Sequence, residues 1–167
     1  MADSPVQSHG PVPPDRPVPP RSPDSRLRAG LRTAGRLLLG GFLVLAGVSH
    51  LGWSREAFYA QVPPWLPLDA DFVVVASGLV EIGLGLGLWL LRRWRVALGW
   101  TVAAFFVAVF PGNISQFATG TDSFGLNSDL SRGIRLLFQP LLVLWALWST
   151  GAWRAWRESR KTGKATR

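Results

Sequence analysis

The stretch FVVVASGLVEIGLGLGLWLL, residues 72–91, decides the fold. It carries one charge, Glu81, and its apolar run is continuous, without the alternation a barrel strand shows over about 10 positions. A helix of this length rises about 30 Å, the thickness of a bilayer's hydrocarbon core. It reads as a membrane-spanning helix. Working outward, three more apolar stretches follow the same pattern, giving spans at about residues 31–51, 72–91, 95–114 and 132–150. The last two are apolar only over 96–110 and 134–148, and reach spanning length by taking in polar residues such as Asn113 and Arg135. The expectation is an all-α membrane protein, an antiparallel bundle of four transmembrane helices over residues 31–150.

Both flanks differ from that bundle. Residues 1–30 hold eight of the 13 prolines, with PVPP at 11–14 repeated at 17–20. Such a segment buries too little apolar surface to offset its ordering entropy, so it reads as a disordered Pro/Arg-rich tail. Its PxxP spacing also fits SH3-like docking, although a solvated spacer is the simpler reading. Residues 151–167 read as a basic tail. The apolar run of the first span starts only near Leu37, behind a long leader and without a small-x-small cleavage site, which makes it an uncleaved span and not a signal peptide.

Charge supplies the orientation. Of 18 basic residues, 15 lie before or at the start of the first span, in the Arg92–Arg95 turn, or in the C-terminal tail. The positive-inside bias then puts both termini in the cytoplasm, the N-in/C-in arrangement, in the cell membrane. In this light the net charge of +8 reports topology and contact with an anionic cytoplasmic leaflet, not nucleic acid. The chain contains no cysteine, which excludes thiol–disulfide exchange by its own side chains, thiolate metal sites and cysteine nucleophiles. His50 has no His or Cys neighbour to make a metal site, and no Ser-His-Asp arrangement is readable. These exclusions argue against catalysis by the chain's own residues and leave no cofactor evident.

The polar residues within the spans carry the functional signal. They are His50, Ser77, Glu81, Asn113, Gln116, Arg135 and Gln139. Ionisable groups in hydrocarbon cost about 2.5–3.5 kcal/mol each and face a bundle interior. In the antiparallel arrangement all seven fall at similar depth, in the half of the bundle away from the basic tails. Ser77 and Glu81, and likewise Arg135 and Gln139, are four residues apart and share a face. Glu81 and Arg135 are expected to neutralise each other. The layer reads either as a pocket for a small molecule or as a structural network that fixes helix register. Gly83 and Gly87 are spaced for close helix packing. Pro111 and Pro140 each free a backbone carbonyl, for which Asn113 or Gln139 is a candidate partner.

The order of these features resembles the DoxX-like family of small four-helix membrane proteins. The residues that carry the resemblance are GVSH at 47–50, VPPWLP at 62–67, SGLVEIG at 77–83, PGNI at 111–114 and RLLFQP at 135–140. The resemblance covers about residues 31–150 and implies an accessory membrane subunit, working with a partner membrane subunit or as a homo-oligomer. It also implies an alternative, the membrane component of a quinone-linked oxidoreductase, with quinone as the ligand and a partner supplying electrons. Transport of a small solute by an oligomer is a third reading.

Overall fold

The computed structural model describes residues 23–121 and 128–165. Their order is α1 (Pro23–Leu51), α2 (Arg55–Tyr59), α3 (Ala70–Leu90), a 3₁₀ turn (Arg92–Trp94), α4 (Arg95–Thr119), α5 (Asp129–Thr150) and α6 (Ala152–Ala165). Four helices are long and apolar enough to cross a membrane: Pro23–Leu51, Ala70–Leu90, Arg92–Thr119 and Gly133–Thr150. The described residues are therefore all-α, with four helices of spanning length and apolarity as expected.

One boundary differs from the sequence reading, and two segments outside the spans turn out helical. The first helix starts at Pro23, so a tail ending at residue 30 cuts into α1; residues 1–22 of that tail lie outside the described residues. A proline in the first turn followed by Asp24 suits a helix N-terminus, because the ring fixes φ and the carboxylate meets the positive end of the dipole. The C-terminal tail forms α6 over most of its length. It is separated from α5 by Gly151, whose φ of 76° lies in the left-handed region that glycine enters without steric cost. Finally, the loop after the first span contains α2.

Two helix pairs make up the bundle, α1 with α3 and α4 with α5. α1 and α3 cross on two pairs of glycines, Gly47 against Gly78 and Gly40 against Gly85. A Cβ on Gly78 would stand 3.0 Å from the Gly47 carbonyl oxygen, and one on Gly40 would stand 2.9 Å from the Gly85 carbonyl oxygen. Each helix repeats its glycine after seven residues, two turns, so both contacts fall on one seam. Gly83 has open space where a Cβ would be, and Gly87 faces only the Leu98 side chain. The close packing therefore belongs to Gly78 and Gly85, not to Gly83 and Gly87.

The pairs meet at the end carrying the arginine-rich turn. Leu39 and Leu43 of α1, Leu84 and Leu88 of α3, Val102, Ala103 and Phe106 of α4, and Ala146 and Leu147 of α5 form one buried cluster there, closed by Ala152 of α6. The Arg36 guanidinium is buried beside it and donates to the Leu88 carbonyl, a cation on the last turn of α3. Trp145 Nε1 donates to the Gly35 carbonyl at 3.0 Å and Trp89 Nε1 to the Leu37 carbonyl at 2.8 Å, tying α5 and α3 to α1. Toward the opposite end the two pairs enclose a cavity.

That end is closed by α2 and the chain after it. Arg55 donates through Nε to Asp71 Oδ1 at 2.6 Å and through a second nitrogen to Oδ2, and the Tyr59 hydroxyl donates to Oδ1 at 2.6 Å. This bidentate clamp fixes α2 to the first turn of α3. The Asp71 carboxylate holds both the Arg55 and the Tyr59 pKa above their ordinary values by accepting those bonds. Asp69 caps α3 by accepting from the Phe72 amide at 3.0 Å. On the other side, a Cβ on Gly112 would run into the Gln61 carbonyl, so the loop rests directly on the α4 backbone.

Candidate functional site

A cavity of about 890 Å³ lies between the helix pairs at this end. Six of the seven sequence-selected residues line it: His50 from α1, Ser77 and Glu81 from α3, Asn113 from α4, Arg135 and Gln139 from α5. Apolar and aromatic side chains make up most of the wall, among them Phe42, Phe58, Trp65, Phe106, Phe138 and Trp145.

Gln116 is not among the lining residues. It is 2% exposed, and its Nε2 donates at 3.3 Å to the Thr121 carbonyl just past the end of α4. Spacing i,i+3 from Asn113 placed it on a neighbouring face, but near a helix terminus the free carbonyls compete for amide donors.

Glu81 meets a different partner from the one its charge suggested. Its Oε2 lies 3.1 Å from Nδ1 of His50, so the basic group beside it is His50 and not Arg135; both side chains are about nine-tenths buried. The same Nδ1 is 2.8 Å from the Ala46 carbonyl, which can only accept. Nδ1 therefore carries a proton committed to Ala46, and Glu81 Oε2 is left without a hydrogen-bond partner despite its proximity. The imidazole is further held by Phe58 of α2, stacked at a centroid distance of 3.4 Å and 16° from parallel. Ser77 turns its hydroxyl back to the Val74 carbonyl at 2.9 Å.

Across the cavity a polar chain ties α5 to α4. Gln139 Nε2 donates to the Phe106 carbonyl at 2.8 Å, and Asn113 Nδ2 donates to Gln139 Oε1 at 3.1 Å. Pro111 lies five residues after Phe106 and removes the donor that would serve the adjacent Val107 carbonyl, so Gln139 acts where the helix ladder is interrupted. The chain ends on Asn113 Oδ1, which is buried and unpartnered.

Sequence reading missed the roof. Gln61 lines the cavity from the loop after α2, and among the described residues its Nε2 is a third buried side-chain polar atom without a partner, beside Glu81 Oε2 and Asn113 Oδ1. Phe58, Trp53 and Trp65 join it from the same segment. The signal available was the aromatic and proline-rich loop at 53–67, of which VPPWLP at 62–67 entered only as a family motif. Among the described residues no group of three His, Asp or Glu side chains stands close enough to hold a metal ion.

Residues 39–150 match a family described as a domain of unknown function, DUF8561. The chain belongs to this family. No DoxX-like family matches, so the resemblance drawn from the short motifs is not supported, while the four apolar helices it implied are present. No curated protein and no solved structure matches the chain. Every cavity-lining residue of this DUF8561 chain, from Phe42 to Trp145, falls within the matched range, whereas α6 and the first turns of α1 fall outside it.

Proposed function

We propose that this multi-pass membrane protein binds a small molecule in the cavity between its two helix pairs, as a non-enzymatic or accessory subunit. The observation that carries this reading is the cavity itself. Its volume of about 890 Å³ is within the range of about 300–1,000 Å³ typical of ligand sites, and its wall is mostly apolar with few convergent polar groups. A network whose only role was helix register would close on itself. Here Gln61, Glu81 and Asn113 each keep a buried polar atom without a partner around open space. The test is mass spectrometry of what co-purifies with the full chain in native-membrane nanodiscs. Ser77→Phe, which fills the cavity, is expected to remove a species that wild type retains. An identical co-purifying set in both proteins would overturn the reading.

The orientation that fits the charge pattern is N-in/C-in in the cell membrane. Because the chain has no cysteine, single cysteines report cleanly. In intact cells, Glu56→Cys on α2 is expected to react with a membrane-impermeant maleimide and Ser159→Cys on α6 to stay protected. The reverse pattern would invert the topology.

The partner we assign to α6 is the anionic leaflet. Trp153 and Trp156 are neighbours at 5.0 Å between centroids, Arg160 lies 4.9 Å over the Trp156 ring, and Arg154, Arg157 and Lys161 lie on the same few turns. Aromatic rings and basic groups on a short helix after a span suit the interface, at about 1 kcal/mol per basic residue near an anionic surface. A spin label at Ser159→Cys should lose solvent accessibility when phosphatidylglycerol is added to phosphatidylcholine nanodiscs. Replacing Arg154, Arg157, Arg160 and Lys161 by glutamine should abolish that change.

A further inference from the structure

We propose that the cavity receives its ligand from the bilayer through the gap between α1 and α5, and that the ligand is an amphiphile with a hydroxyl-bearing head. This rests on the binding reading above and specifies the ligand's chemistry.

The head group follows from the direction of the hydrogen bonds. The Phe106 carbonyl can only accept, so Gln139 must present Nε2 to it and Oε1 to Asn113. Asn113 must then present Nδ2 to Gln139, which fixes its unpartnered atom as the acceptor Oδ1. On the other wall, the Nδ1 proton of His50 is committed to the Ala46 carbonyl, which leaves Glu81 Oε2 as a second acceptor without a donor. The remaining buried atom, on the Gln61 amide, is met by a hydroxyl in either amide orientation, because a hydroxyl both donates and accepts. A head that only accepts, such as an oxidised quinone ring, leaves Glu81 and Asn113 unsatisfied. A pair of hydroxyls satisfies both.

The route follows from which large apolar side chains within the spans line the cavity and also reach the outside. Phe42 and Leu45 on α1 and Phe138 on α5 line the cavity, yet are 46%, 60% and 56% exposed. All three lie within helices long and apolar enough to cross a membrane, so a bilayer would surround them with hydrocarbon. The gap between them is a lateral opening with apolar edges, through which an alkyl chain leaves the cavity without desolvating any polar group.

The test uses the full chain in phosphatidylcholine nanodiscs and two matched probes, a dodecyl resorcinol and its dimethyl ether, with binding read by native mass spectrometry. The diol is expected to bind about tenfold or more tightly than the ether, as one or two hydrogen bonds to buried acceptors would give. Ser77→Phe should abolish binding of both, and Val109→Phe fills the same space from α4 if that variant does not fold. The double change Leu45→Trp with Phe138→Trp, at lipid-facing positions, should slow uptake at least about threefold with little change in thermal stability. Equal binding of the two probes, lost in the filled variant, would overturn the hydroxyl head and leave the cavity standing. Unchanged uptake in the tryptophan pair would overturn the lateral route. Binding of neither probe, or binding that survives filling, would overturn the binding reading itself.

Discussion

Gly78→Leu is expected to cost the bundle about 3 kcal/mol or more, enough to remove most folded protein from a detergent extract. A Cβ at Gly78 would stand 2.7 Å from the His50 Cβ and 3.0 Å from the Gly47 carbonyl oxygen. The second of these is backbone, which cannot rotate out of the way. Overpacking in a well-packed core costs about 1–3 kcal/mol where side chains can shift, and more where they cannot. The helices would have to separate along the whole seam, which also loosens the Gly40–Gly85 crossing. Gly83→Leu is the internal control. It meets open space, and helix propensity favours leucine over glycine by close to 1 kcal/mol, so stability should hold or rise. Thermal unfolding in detergent measures both. Equal losses at positions 78 and 83 would show that the seam does not hold the pair together.

This pair of glycines also shows where sequence reading stopped. The four spans were legible because continuous apolar runs of spanning length have one physical solution in lipid. Which face of α3 met a neighbour was not legible, since GLGLG at 83–87 offers a glycine on several faces and the choice depends on where α1 places Gly40 and Gly47. The depth of the polar residues followed from the antiparallel order, and six of seven do line one cavity. Their partners did not follow. Formal charge favoured Arg135 for Glu81, but His50 lies directly across the glycine seam, where the α1 and α3 backbones approach most closely. Gln61 and Phe58 escaped notice because a loop residue gains a role only when the loop is folded back, here by the Arg55–Asp71 clamp and the contact on Gly112. Trp153 and Trp156 were legible as residues of the interface on the basic side, but the helix that brings their rings together was not.

His50→Leu is expected to destabilise the bundle by about 2–4 kcal/mol, from a buried carbonyl left without its donor and a lost ring stack. Three contacts go at once: the bond to the Ala46 carbonyl, the stack on Phe58, and the cation-capable group beside Glu81. Glu81→Gln should cost far less, within about 1 kcal/mol, because it replaces a buried carboxylate whose Oε2 already lacks a hydrogen bond and leaves both other contacts of His50 intact. The asymmetry separates this geometry from a symmetric ion pair, in which either removal would cost about the same. In the double variant the carboxylate is gone before His50 is removed. Part of the His50 loss should then be recovered, with a coupling of about 0.5–3 kcal/mol. The parallel cycle of Glu81→Gln with Arg135→Gln should give a smaller coupling, since the basic side chain 3.1 Å from Glu81 is His50. Unfolding in mild detergent across both cycles reads all of these terms. A larger coupling with Arg135 than with His50 would restore the pairing that formal charge suggested and would require the polar wall of the cavity to be redrawn around it.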